Sequence, residues 1–335
     1  MYDLETDRVS REIAARNAKR VLLQLPDGLR PHAFTLVSAL KERTGSEVFL
    51  VGDSCYGACD LALEQAKVLK ADLLVHYGHS QFLLDTDIPV LYIEARIDID
   101  AKSIVGMALP LIEGWGKVGL ATTVQHANQL GEVKRALELQ GIQAVVGRGA
   151  ARTPHEGQVI GCDYSSARAI RDDVDGFLFI GGGRFHSLGL ALSTGKPVVV
   201  ADTYLQSAKA IGEDEIRRHV KRRMAAIAAA AKARRLGIIV SLKPGQFEPS
   251  AAESVSAKLE AKGKEATIIC LDEVRAETLL NFSEAEAFID LACPRIAIDG
   301  VGDLRKPLLT LQEALVMLGE VRWDEVWGGS FFARS

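Results

Sequence analysis

The chain has 335 residues, 48% hydrophobic and 25% charged, a mix that excludes a disordered chain and can build two or three cores at roughly 150 residues per domain. Lys and Arg total 40 against 44 Asp and Glu, a net charge of −4, so no polyanion-seeking field covers the surface and nucleic acid is not expected as a partner. The longest stretch without Asp, Glu, Lys or Arg runs from Val118 to Gly131, short of the ~18 apolar residues that span a bilayer, and no membrane partner is expected.

The opening residues, MYDLETDRVSREIAARNAKR, alternate charges as a solvated helix does and lack an apolar signal core, so the expected location is cytoplasmic. Beyond them, strand-length apolar runs alternate with helical periods, the pattern of βαβ units and an α/β fold with parallel sheets. The first block opens with VLLQLPDG (21–28), continues through the helix FTLVSALKERTG to the strand EVFLVG, and ends on the strand ADLLVHYGH (71–79). DAKSIVGMALPLIEGWG reads as a helix leading to the second block, with strands VGLATTVQH (118–126), QAVVGRG and VDGFLFIGGG (174–183) and the helix EVKRALELQG. The charged, Ala-rich helix EDEIRRHVKRRMAAIAAAAKARR follows, and its basic residues at 217–223 and 232–235 read as a solvated face or, alternatively, as a site for an anionic or protein partner. The third block has strands LGIIVSLKPGQ (236–246), ATIICLDE and AFIDLACPRIAID (287–299) around the helix ESVSAKLEAKG. One helix in each block ends on a Gly, the residue suited to a left-handed C-cap. The repetition predicts three tandem related domains, 1–115, 116–212 and 213–335, each a small parallel sheet flanked by helices, arranged around a central site.

Open parallel sheets bind ligands beyond the carboxyl ends of their strands. Cys59 and Cys162 fall at corresponding positions after the second strand of their blocks, each followed by Asp, and Cys293 ends the third strand of the last block. Repeat symmetry puts these three sulfurs on one rim, although they are far apart in the chain. Three thiolates suit an iron–sulfur cube with one open iron, or a catalytic zinc helped by His76, His79, His126 or His186 near the strand ends. Cys55 makes a C-x3-C with Cys59, half of a cluster signature, while Cys270, inside an apolar strand, reads as a small buried hydrophobe. Asp27, Gly28 and Gln246 sit in strand-end loops, and Gly181, Gly182 and Gly183 form a Gly run that either lets a ligand approach the backbone or serves a tight turn. Arg184 and Arg295 are candidates for holding a carboxylate, or members of structural ion pairs.

These residues resemble one family over nearly the whole chain. LLQLPDGL (22–29), GDSCYGACD (52–60), GCDYSSAR (161–168), GGGRFHSLG (181–189), LKPGQF (242–247) and ACPRIAID (292–299) are similar to motifs of the archaeal 2-(3-amino-3-carboxypropyl)histidine synthases, which perform the first step of diphthamide biosynthesis. The resemblance implies a 4Fe-4S cluster on Cys59, Cys162 and Cys293, and a radical use of S-adenosylmethionine. Its 3-amino-3-carboxypropyl group would pass to imidazole C2 of a histidine in translation elongation factor 2, releasing methylthioadenosine. It also implies a homodimer and an external electron donor. Asp27, Gly28, Gly181, Gly182, Gly183, Arg184 and Gln246 are then the expected contacts of the S-adenosylmethionine. Two alternatives share the three-domain plan or the sequence motifs: a quinolinate synthase-like 4Fe-4S Lewis-acid enzyme, and a non-catalytic scaffold subunit.

Overall fold

Three sheets form from the three blocks, and each repeats one strand order. The structure is a computed structural model and describes residues 2–83 and 85–326. Strands β1 (Arg20–Gln24), β2 (Glu47–Leu50), β3 (Leu73–Tyr77) and β4 (Val90–Ile93) pair in parallel as β2-β1-β3-β4. The second sheet comprises β5 (Lys117–Thr122), β6 (Gln143–Val146), β7 (Gly176–Ile180), β8 (Val198–Asp202) and β9 (Ser207–Ala210), in the order β6-β5-β7-β8-β9 with only β9 antiparallel. The third comprises β10 (Arg235–Ser241), β11 (Glu265–Leu271), β12 (Ala287–Asp290) and β13 (Leu308–Thr310), in the order β11-β10-β12-β13. The inner strands β3, β7 and β8 are buried along their whole length, as apolar strands covered by helices on both faces must be.

The repeat extends to side-chain volume. Between first and third strands of each sheet, Leu22 faces Leu74, Gly119 faces Phe177 and Gly237 faces Phe288. A Cβ on Gly119 would lie 2.5 Å from the Phe177 ring, and one on Gly237 2.7 Å from Phe288. Two leucines in the first sheet are thus replaced by a glycine and a phenylalanine in the other two. The expected C-cap glycines, Gly45, Gly141 and Gly263, take φ of +67°, +80° and +74°, the region glycine enters without steric cost.

Four expectations are corrected. The last strand stops at Asp290, because Pro294 has no N–H to give a sheet and instead opens the helix Pro294–Asp299. The N-terminal helix Thr6–Ala15 is solvated on one side only, since Val9 and Ile13, one turn apart, are buried in the first core. Cys270 is exposed, not buried: β11 is an edge strand and lacks a cover over alternate residues. The charged helix Glu213–Lys232 buries His219 and Arg223. Arg223 forms an ion pair with Glu313, their side chains 5% and 0% exposed, and donates to the carbonyls of Ala297 at 2.6 Å and Leu308 at 2.7 Å. Removing one member of a buried pair strands the other charge, so Arg223→Ala is expected to cost about 3–5 kcal/mol in urea unfolding. A loss no larger than that of the exposed Arg217→Ala would contradict this.

Among the described residues no helix is long and apolar enough to cross a membrane. The helix Ala101–Ala108 packs Ile104, Val105 and Ala108 into the core of the second sheet.

Candidate metal centre

Cys59, Cys162 and Cys293, one from the strand ends of each sheet, line a single cavity of about 350 Å³. Gly28, His79, His186 and Arg295 also line it. Each cysteine is held by its own backbone device.

Cys59 lies in the loop after β2, clamped by the loop after β10. The Gly245 N–H donates to the Cys59 carbonyl at 2.8 Å, and Gln246 Nε2 donates to Cys59 Sγ at 3.3 Å. Lys243 Nζ meets the Asp60 carboxylate at 2.6 Å, with both side chains largely buried. A Cβ on Gly245 would stand 2.5 Å from Cys59 Cα, so only glycine permits this approach. Cys162 sits with Gly161 at the tip of a tight turn closed by reciprocal bonds between Ile160 and Asp163, at 3.0 and 3.1 Å. A Cβ on Gly161 would lie 2.6 Å from the Phe185 ring and 3.2 Å from Arg295 Cγ. Cys293 follows β12 in extended backbone, one residue before the helix Pro294–Asp299.

Burial, then the charges of Asp290, Cys162 and Cys59, push the Cys293 thiol up to about 12. The cysteines therefore feel one another across the cavity, and Cys293 is neutral until a metal replaces its proton. Burial likewise lifts Cys55 to about 12. Alkylation of the metal-free protein near pH 8 is expected to reach the exposed Cys270 first and Cys55 and Cys293 last. Both slow rates should rise with pH, because only the thiolate reacts. Peptide mapping by mass spectrometry reads this order, and early labelling of Cys293 would contradict it.

Ligands of one ion crowd together, whereas thiolates on separate irons of a cube stand further apart. Among the described residues the three-ligand group within 4.8 Å of one another is Cys55, His76 and His79, not the cavity cysteines. Three soft thiols lining one cavity, one of them receiving an amide N–H, suit an iron–sulfur cluster. Cys55 lies outside the three-cysteine set, and His126 is buried against Ile97 and Thr203.

The other expected contacts divide. Gly28 lines the cavity and Gln246 touches the Cys59 sulfur. Asp27 is exposed and pairs with Arg30 at 3.2 Å. Gly181 and Gly183, at φ +141° and +77°, make the turn into the helix Phe185–Thr194. Arg184 lies on the surface in an ion pair with Glu215. Arg295 is 4% exposed, stacks 4.0 Å from the Phe185 ring and grips Asp299 through Nε and Nη2 at 3.0 and 2.7 Å. Contacts between sheets went unread in the sequence, among them the Lys243–Asp60 bridge and Gln158 Nε2 donating to Ser80 Oγ at 2.8 Å. Neither pair has a sequence spacing that announces it.

Three parallel-dominated, helix-flanked sheets sharing a three-cysteine cavity define the class of architecture, and the chain belongs to the diphthamide synthesis protein family, whose model matches residues 25–328. It is 38% identical over 333 residues to the 2-(3-amino-3-carboxypropyl)histidine synthase of Pyrococcus horikoshii, covering 98% of this chain and 95% of that protein. Subunit 1 of the human synthase is 30% identical over 340 residues, covering 100% of this chain and 76% of that protein. The crystal structure of Dph2 from P. horikoshii with a 4Fe-4S cluster superposes with a TM-score of 0.87 at 37% identity, covering 98% of this chain and 96% of that one.

Proposed function

We propose that this chain is a 2-(3-amino-3-carboxypropyl)histidine synthase. It moves the 3-amino-3-carboxypropyl group of S-adenosylmethionine to imidazole C2 of a histidine in translation elongation factor 2 and releases methylthioadenosine. The observation that carries this reading is the meeting of Cys59, Cys162 and Cys293 on one cavity, supported by the names of the relatives. These cysteines would hold a 4Fe-4S cluster; when bound, it supplies the strongly reducing electron that a sulfonium C–S bond requires.

The chain's own residues orient and tune. The Gln246 amide at the Cys59 sulfur stabilises negative charge there, and Gly28 offers unobstructed backbone at the cavity wall, with nothing within 4 Å of a Cβ placed on it. Arg295, held by Asp299 and Phe185, keeps a fixed cation at the cavity for a carboxylate. An external reductant, a homodimer and a cytoplasmic setting belong to the same proposal.

Anaerobic reconstitution with iron, sulfide and a strong reductant, followed by addition of S-adenosylmethionine and elongation factor 2, tests it. Methylthioadenosine together with an aminocarboxypropyl-histidine peptide is the expected outcome. A pyridine dicarboxylate from suitable precursors would identify a quinolinate synthase instead, and no cofactor cleavage would leave a scaffold.

A further inference from the structure

Behind the cavity wall, hydrogen bonds connect a buried amide to a ring nitrogen at the cavity. Gln24, 2% exposed on β1, has both ends of its amide assigned by backbone partners. Its Nε2 donates to the Asp60 carbonyl at 2.6 Å, and its Oε1 accepts from the Ala62 N–H at 3.2 Å. The same oxygen lies 2.8 Å from His76 Nδ1, which must therefore carry a hydrogen.

Burial keeps His76 uncharged. A neutral imidazole has one N–H, so His76 Nε2 is a bare acceptor. Its partner at 3.0 Å is His79 Nδ1, which must supply the next hydrogen. His79 is also kept neutral by burial, its pKa pushed down to about 4 even though the Tyr77 backbone favours a hydrogen on the ring. With its single hydrogen on Nδ1, the nitrogen that faces His76, His79 Nε2 holds a lone pair. Nε2 is separated from Nδ1 by one ring carbon and so points away from His76, and His79 lines the cavity that the cysteines share.

The reaction proposed above exchanges an imidazole hydrogen for carbon. A C–S bond breaks, a C–C bond forms, the thioether leaves, and the ring hydrogen departs as a proton while its bonding pair stays in the ring. The net exchange is redox-neutral and releases one proton per turnover, which needs an acceptor.

We propose that His79 Nε2 takes this proton, with His76 and Gln24 as positioning residues that keep the lone pair aimed into the cavity; the proposal rests on the alkylation reading above. Once Nε2 is protonated, the His79 Nδ1 hydrogen passes toward His76 Nε2, and the positive charge is shared between two rings. Arg295 is a permanent cation and cannot serve. His186, also at the cavity, is opposed by that same Arg295 charge and has no second imidazole bonded behind it.

Two measurements test this. Nitrogen NMR of the unsubstituted, cluster-loaded protein with labelled histidine is expected to find His79 protonated at Nδ1 and bare at Nε2; the opposite tautomer overturns the proposal. In His79→Gln, transfer is expected to fall ~10²–10⁴-fold. A primary isotope effect should also appear with deuterium at the alkylated carbon, because loss of that hydrogen becomes slow. Unchanged transfer, or a slow variant without the isotope effect, overturns it. Failure of the unsubstituted protein to alkylate the histidine at all defeats the underlying reading instead, and the tautomer measurement tells the two failures apart.

Discussion

Replacing Cys59, Cys162 or Cys293 singly by alanine is expected to strip the protein of iron and abolish transfer. Each lies on a different sheet at the common cavity, and Cys55, which shares the loop of Cys59, is not among the residues that line it. Outer-shell partners of metal ligands already cost 10–100-fold, and a direct ligand should exceed that range. The remaining two thiols would hold a cluster by one edge and open it to water. Iron and sulfide per chain, visible absorption and product mass read the outcome. Cys270→Ala is the companion, because Cys270 is exposed on an edge strand and is not among the residues that line the cavity. One of the three variants retaining full iron and full transfer would sink the assignment, as would loss of iron in Cys270→Ala.

Gly245→Ala is expected to act on the same centre without replacing a ligand. The added Cβ would lie 2.5 Å from Cys59 Cα and 3.0 Å from the Cys59 carbonyl oxygen, contacts with backbone that no rotamer relieves. The two loops must part, weakening the Gly245–Cys59 bond at 2.8 Å and the Gln246–Sγ bond at 3.3 Å. Overpacking of this kind costs about 1–3 kcal/mol, and iron affinity should fall by roughly 10–100-fold. Gly106→Ala calibrates the comparison: Gly106 lies inside the helix Ala101–Ala108 with open space around it, so alanine there should stabilise by about 0.5–1 kcal/mol. Denaturation midpoints and iron titrations measure both. Normal iron affinity in Gly245→Ala would show that the clamp is not needed.

The strands that organise the sheets were legible because continuous apolar runs bounded by polar turns have few other uses in a chain of this composition. The fourth strands, β4, β8 and β13, and the antiparallel β9 were not read: β4, β9 and β13 are outermost in their sheets, whereas β8 is a buried apolar run like the strands that were read. The Arg184 and Arg295 motifs look alike in sequence, yet one arginine is on the surface with Glu215 and the other is buried at the cavity. Which of two arginines after a strand turns inward depends on the packing around it. The buried side of the helix Glu213–Lys232 was hidden for a related reason: an arginine that gives four hydrogen bonds to Glu313 and two carbonyls reads in the sequence as a solvated charge.

Local sequence determined what depends on neighbours along the chain: the apolar periods, the helix-ending glycines, the threefold repetition and the three cysteines it singled out. Tertiary structure alone decided that a glycine of the third sheet would touch the Cys59 backbone and that Gln24 would orient two histidines. It also decided which polar loops would reach the cavity. Such contacts join residues whose separation along the chain carries no period, and close packing, not propensity, selects them.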